Sequence, residues 1–254
     1  MNICNNLRAI NLVREIGLSV NLMNRSMERL ASGLRINRAS DDPAGLVISE
    51  QMRSRIASLN QEIENTTVTL NKYRTADSAA LQLRHSLTEL RSYAVAAANS
   101  GANDAAVRQA YQTAAENMVS SYNSLIETTS FGNQKLLDGS EGSVAEIEKL
   151  NDLDFSDPES IEQAITEIDQ KAEQLDSTLI SLGSKQKNEL ERNLSTMRIE
   201  VQNLAAAESQ IRDTDFVSEY AAFMRNSLML QAGVALMAHA NLPSYTVLSL
   251  LNSD

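Results

Sequence analysis

The sequence predicts a mainly α fold: an elongated antiparallel helical bundle or coiled coil with one small β-hairpin, formed by pairing of the amino- and carboxyl-terminal halves. Three observations predict it. Ile161, Ile165, Ile168, Ala172, Leu175, Leu179 and Leu182 repeat in unbroken steps of four and three, a heptad seam. Elsewhere apolar residues recur by threes and fours over runs longer than an ordinary globular helix. The 254 residues include three prolines, nine glycines, no tryptophan and 4% aromatics, a composition suited to long helices and not to a β-rich or catalytic α/β fold.

The first helix carries a stripe of Leu12, Ile16, Val20, Met23, Met27, Leu30 and Leu34. Its methionines suit a surface that repacks, because the thioether chain is flexible. Gly33 follows this run and can adopt the left-handed conformation just past the helix end, with Leu34 folding back on the last turn. Arg35, Asn37 and Arg38 then make a polar elbow. Asp41 and Asp42 lead into Pro43, where Asp42 can cap the next helix and the missing proline N–H costs nothing. Gly45 completes a joint of Gly33, Leu34, Arg35, Asn37, Asp41, Asp42, Pro43 and Gly45. By physics alone such a joint is structural.

A long helix is expected from Pro43 to about Ala98, marked by Ile48, Met52, Leu59, Ile63 and Leu70, then Leu83, Leu87, Leu90 and Ala94. At ~1.5 Å per residue it spans on the order of 80 Å, so the body reads as a rod. A further helix covers about Asp104 to Thr128, with Val107, Tyr111, Met118, Tyr122 and Leu125 as its stripe. Between Phe131 and Gly139 the period changes and turn residues cluster, which reads as a hairpin near 131–155. An acidic connection follows, and Ser156 or Asp157 caps the heptad helix. Leu190, Leu194, Met197, Val201 and Leu204 resume the seam. Joining it to Leu182 through Gln186 needs two steps of four, a stutter near Gly183. Asp213-Thr214-Asp215 caps a last helix whose apolar face is Phe216, Tyr220, Phe223, Leu230, Val234 and Met237. From Phe216 to Leu251 its charges are Glu219 and Arg225, so it must associate.

The net charge of −11 is unevenly placed. Residues 141–176 hold twelve acids against Lys149 and Lys171, a balance of −10, which leaves −1 for the rest. A near-neutral body is free to pack against copies of itself while the acidic patch stays in water. Nucleic acid is excluded as a partner by the absence of a basic stripe with interleaved aromatics. Cys4 alone forms no internal disulfide or zinc site and reads as a small buried apolar residue. No cleaved secretory signal is expected, since Arg8, Asn11, Arg14 and Glu15 interrupt the opening. No membrane span is expected near the end, where Gln231, His239, Asn241, Pro243 and Ser244 interrupt the apolar run. His85 and His239 lack metal-ligand spacing, and no nucleophile elbow or phosphate loop occurs, so the reading is not an enzyme, with no metal and no cofactor.

The stretch ERLASGLRINRASDDPAGLVISEQMRS (28–54) resembles the amino-terminal signature of bacterial flagellins, and AESQIRDTDFVSEYAAFMRNSLMLQAGVALMAHAN (207–241) with VLSLL (247–251) resembles their carboxyl-terminal arm. The resemblance implies a structural subunit that self-assembles into the flagellar filament for motility, in a minimal form without large outer domains. It implies an inner coiled-coil domain of residues 1–43 and 217–254 and a helical rod of 44–216. The arms would meet each other and sister subunits through Leu12, Ile16, Met23, Met27, Leu30, Phe223, Leu230, Val234, Met237, Leu248 and Leu251. It implies as partners a flagellin export chaperone holding Phe223, Leu228, Leu230, Val234 and Leu236, hook-associated and cap proteins, and the flagellar type III export apparatus. An extracellular flagellum follows, with a periplasmic one left open. Some flagellins are recognised by an innate immune receptor through the segment that here holds Glu89, Leu90, Arg91, Tyr93, Ala94 and Val95. Glu89 stands where recognised members carry arginine and Tyr93 where they carry leucine, so weak or absent recognition is expected. Cys4 and the ending LLNSD depart from the family pattern. A hook–filament junction protein of related fold and a non-polymerising coiled-coil adaptor are the alternatives.

Overall fold

The computed structural model describes residues 7–99 and 105–251, apart from the side chains of Arg8, Ala105 and residues 241–251. Cys4 lies outside the described residues, as do the side chains of Leu248 and Leu251. In order, the elements are α1 (Leu7–Ser32), α2 (Pro43–Ala97), α3 (Ala105–Thr128), β1 (Ser130–Phe131), β2 (Gln134–Lys135), α4 (Pro158–Ser184), a π-helical segment (Lys185–Glu191), α5 (Arg192–Arg212) and α6 (Phe216–Leu251). The chain divides into two compact units, one of Met1–Ser58 with Val201–Asp254 and one of Leu59–Glu200.

The second unit has a conventional core. Leu83, Leu87, Leu90 and Ala94 of α2, Ala115, Val119, Tyr122 and Ile126 of α3, and Ile161, Ile168, Leu175 and Leu182 of α4 are buried together. Helices α2 and α4 run antiparallel, since Arg84 bonds Asp176 (2.8 Å) and Arg91 bonds Asp169 (2.7 Å). Those flanking arginines answer part of the acidic segment. The stripe expected on α3 is displaced: Val107 is exposed, and the buried positions are Ala115, Val119, Tyr122 and Ile126. Small Ala115 is fully buried there, a place that hydropathy alone does not reveal.

The hairpin is shorter than expected. Ser130 pairs with Lys135 and Phe131 with Gln134 around a two-residue Gly132-Asn133 turn. Gly132 has φ +60°, the conformation that the first turn position demands. A second antiparallel bridge, Asp138 to Glu146, extends the pairing. The acidic connection beyond it is no solvated loop. Leu150, Leu153 and Phe155 are all buried. Two amide side chains on α3 hold that segment like a missing strand. Asn123 accepts from Leu150 N and donates to Leu150 O, both at 2.9 Å. Gln112 accepts from Phe155 N (2.7 Å) and donates to Leu153 O (2.8 Å). Asp157 takes the N-cap backbone position of α4 without a side-chain cap bond, and Ser156 instead bonds Asp154. The stutter is resolved as the π segment, whose wider i→i+5 turns absorb the surplus residue.

In the first unit α1 and α6 run antiparallel: Arg29 reaches Glu219 at 3.4 Å, while Ile16 lies against Gly233. Their Cα atoms come within 8 Å repeatedly along the pair.

Candidate functional site: the paired arms and the elbow

The helices of the first unit meet along a seam in which small and polar residues alternate with large ones. On α1 the residues turned inward are Ala9, Leu12, Ile16, Ser19, Met23, Ser26 and Leu30; on α6 they are Glu219, Phe223, Asn226, Leu230, Gly233, Met237 and Ala240. Both sets step by threes and fours, a heptad on each helix. The register set by Ile16 and Gly233 brings Ser26 level with Phe223, Met23 with Asn226 and Ser19 with Leu230. These three layers and Ile16 with Gly233 each pair one large side chain with one small or polar one, whereas Leu12 is level with Met237 and Ala9 with Ala240. Ser19, Ser26 and Asn226 are buried, and Ser19 satisfies its hydroxyl on Glu15 O at 3.0 Å. A Cβ built on Gly233 stands 2.9 Å from Ile16 Cγ1, so glycine sets the approach there.

This seam shares most of its large residues with the apolar stripes read in the sequence and differs from them in part. Leu12, Ile16, Met23, Leu30, Phe223, Leu230 and Met237 lie half-buried along it. Met27 is 50% exposed and Val234 54% exposed, and both stand outside it. So do Leu7, Ile10, Val13, Leu18 and Leu22 of α1, with Phe216, Val217, Tyr220, Met224, Leu228, Met229 and Leu236 of α6. The physical reason is spacing. Close approach of two backbones favours serine, asparagine and glycine at part of the seam, and it leaves the remaining bulky residues on the outer surface. What remains is an apolar shell around a closed seam, a surface made for burial against something else.

The elbow fixes where that pair leaves the rest of its unit. Gly33 has φ +73° and its N–H closes on Arg29 O at 2.8 Å, as the sequence predicts. Leu34 pairs antiparallel with Asp213, a contact across the chain ends that the local reading did not contain. Arg35 N donates to Arg212 O (2.6 Å) and Thr214 N to Gly33 O (2.9 Å), while the Arg35 guanidinium caps Ile211 O, a carbonyl near the end of α5. Asp41 gathers the elbow: it accepts from Arg38 N (3.1 Å), Asn37 N (3.3 Å) and Arg25 Nη2 (2.7 Å). The bond from Arg25, then those from the backbone, hold its carboxyl below the usual aspartate value. Asp42 Oδ1 caps α2 on Gly45 N at 2.9 Å, and a Cβ on Gly45 would meet Ile36 Cδ1 at 2.9 Å. Pro43 opens the helix. Arg212 Nη1 bonds Glu50 at 2.7 Å and pulls its carboxyl down. Asp215 caps α6 through Val217 N at 3.0 Å.

In the segment that the resemblance assigns to receptor recognition, Leu90 and Ala94 are fully buried in the core. Arg91 is engaged by Asp169, Glu89 lies 3.4 Å from His85, the Tyr93 ring stands 6.5 Å from that of Tyr111, and Val95 is exposed. Among the described residues no group of three or more His, Cys, Asp and Glu side chains is placed to hold a metal ion, and no helix is long and apolar enough to cross a membrane.

Comparison with known proteins follows the same two ends. The bacterial flagellin N-terminal helical region matches residues 3–142, and the bacterial flagellin C-terminal helical region matches residues 160–251. A flagellin of Halalkalibacterium halodurans is 34% identical over 276 residues, covering 99% of this chain and all of the relative. A flagellin of Bacillus subtilis is 30% identical over 304 residues, again covering 99% of this chain and all of the relative. The flagellar filament 33 kDa core protein of Treponema phagedenis is 29% identical over 287 residues with the same coverage. Full-length matches to flagellins favour a filament subunit over a coiled-coil adaptor. A seam of alternating small and large residues with an apolar outer shell, an elbow tied to the returning chain and family matches at both ends converge: this chain belongs to the bacterial flagellins, the structural subunits that assemble as homopolymers into the flagellar filament, and it is of minimal size.

Proposed function

We propose that the α1–α6 pair is the polymerising element and that its outer shell is what sister subunits cover. The observation that carries this is the split within the pair. Phe223, Leu230, Met23 and Ile16 join the two arms, whereas Val13, Leu18, Met27, Leu228, Val234 and Leu236 point away from the seam. Leu248 and Leu251 continue the arm by sequence. In this division residues 1–43 and 217–254 are the arms and 44–216 the body, and the elbow of Gly33 to Gly45 sets the angle between α1 and α2. The body supplies stability, and the arms supply contacts between copies, in a filament outside the cell.

The test is polymerisation. Leu228→Ser and Val13→Ser, alone and together, should leave the monomer's thermal midpoint unchanged. Together they should abolish the seeded growth seen by sedimentation and electron microscopy. Growth of the double variant at the parental rate refutes the assignment.

Export requires the arm to be held before it pairs. An export chaperone taking Phe223, Leu228, Leu230, Val234 and Leu236 competes with α1 for Phe223 and Leu230, so chaperone-bound and arm-paired states exclude one another. The type III export apparatus, the hook-associated proteins and the cap are the remaining partners. Recognition by the innate receptor is weak or absent: the burial of Leu90 and Ala94 leaves Glu89, Arg91 and Val95 to meet it, and Glu89 reverses the charge the resemblance calls for. A reporter assay comparing the parent with Glu89→Arg tests this, with gain of signal expected in the variant.

A further inference from the structure

Helix α4 and helix α5 carry one seam with a single residue too many. Steps of four and three run without a break from Ile161 to Leu182, and again from Leu190 through Leu194, Met197, Val201 and Leu204. Between the two runs the path goes from Leu182 through Gln186 to Leu190, eight residues where a heptad allows seven. In an unbroken α-helix those eight residues would swing the second run about 80° out of line with the first. Yet Leu182 and Leu194 are both buried, at 2% and 5% exposure, so each run keeps its apolar face inward. The surplus lies in Lys185–Glu191, which is π-helical and contains no buried residue. The segment carries a sign of cost. Gln186 Nε2 is enclosed without a hydrogen-bond partner. On its far side Glu191 is tied to Arg74 of α2 at 3.3 Å.

We propose that Lys185–Glu191 is a slip joint in the returning helix: the π form exists because the Leu190–Leu194 seam is docked on α2, and undocking that seam lets the segment relax to α-helix. Docking and α-helical register at 185–191 are alternatives. The joint therefore gives the first turns of α5 two azimuths. One holds Leu190, Leu194 and Met197 inward, with Ile199 outward at 55% exposure; the other turns that face away. A neighbouring copy packed against this face would feel the difference, so the joint is a point at which subunit contacts can be coupled to the state of a single helix.

Deletion of Lys187 tests the proposal, because it restores steps of four, three and four from Leu182 to Leu194. The full-length variant should melt about 3 °C higher than the parent, whereas deletion of Gln174, which breaks the seam inside α4, should melt lower. In the parent, amide exchange at 185–191 should run about tenfold faster than in the turns on either side, and the Lys187 deletion should erase that difference. Leu194→Ala discriminates further. If the seam enforces the π form, weakening it slows exchange at 185–191; simple loss of packing speeds it. A Lys187 deletion that melts no higher than the parent, or that does not fold, overturns the proposal. So does parental exchange as slow at 185–191 as in its flanks, or exchange there that Leu194→Ala accelerates.

Discussion

The two units of this subunit solve the burial problem in opposite ways. In residues 59–200 the large side chains point inward: Leu83, Leu87, Leu90, Tyr122, Phe155 and Ile168 are each at most 1% exposed, and charged pairs such as Arg84–Asp176 ring them. In the α1–α6 pair large side chains lie on both sides: Leu12, Ile16, Met23, Leu30, Phe223, Leu230 and Met237 share the seam with serine, asparagine and glycine, while Leu18, Met27, Leu228 and Val234 face out. One unit encloses its large side chains; the other leaves many of them exposed, the surface proposed above to be covered by sister subunits. The lesson is that total hydrophobicity does not distinguish a core from an interface. The position of the small residues does, since they mark where backbones meet.

The strongest blow to that contrast is Phe155→Ala, which should cost about 3–5 kcal/mol in thermal unfolding because a ring enclosed by the helical core leaves a cavity. A cost under 1 kcal/mol would mean that the 150–155 segment is not part of the core. Next comes Asn123→Ala. It strips both bonds from Leu150 and should cost about 2 kcal/mol, with faster amide exchange at Leu150. Gly233→Ala sharpens the other side of the comparison. In an isolated helix the change gains about 1 kcal/mol of propensity. Against Ile16 it should instead lower the stability of the α1–α6 pair by about 1 kcal/mol, because overpacking exceeds that gain. A rise in the melting midpoint would show that the seam is looser than the contact implies.

The smallest effects come from pH and separate the units by sign. Burial pushes the Tyr122 hydroxyl up from 10 to about 12, so its neutral form is the one the core accepts. Its contribution is complete below pH 10 and is lost as pH rises toward 12. Asp41 behaves oppositely. Its carboxyl is depressed by Arg25, so its contribution is complete above the ordinary value of 3.8 and fades as pH falls below it. Alkali should therefore loosen the 59–200 unit first and acid the elbow, read as residue-resolved exchange at Tyr122 and at Asn37 across a pH series.

Much of this was legible in the chain. The heptad of α4 shows itself because each of its seven positions is Ile, Leu or Ala, and the elbow because Gly33, Asp42 and Pro43 each act through local backbone chemistry. Met27 and Val234 stand on the outer face of the α1–α6 pair while Ser19, Ser26 and Asn226 are buried in its seam, a division that no hydropathy argument makes. The seven-residue spacing of Ser19 and Ser26 and of Asn226, Gly233 and Ala240 was the available signal. The clamp of Gln112 and Asn123 on the 150–155 segment carried no signal, since amides eleven residues apart on a helix are ordinary surface chemistry.

By itself the sequence determined what short-range physics controls: helix periods, the left-handed glycine, the caps, the surplus residue after Leu182, and the near-absence of charge in the last helix. Tertiary structure decided which of two amphipathic faces each arm turns inward, how the acidic connection buries Leu150 and Phe155, and that the surplus residue is stored as π-helix. Those outcomes depend on how closely one backbone approaches another. That distance is set by pairs of residues far apart in the chain, Ile16 with Gly233 and Leu34 with Asp213 among them, and no local pattern encodes it.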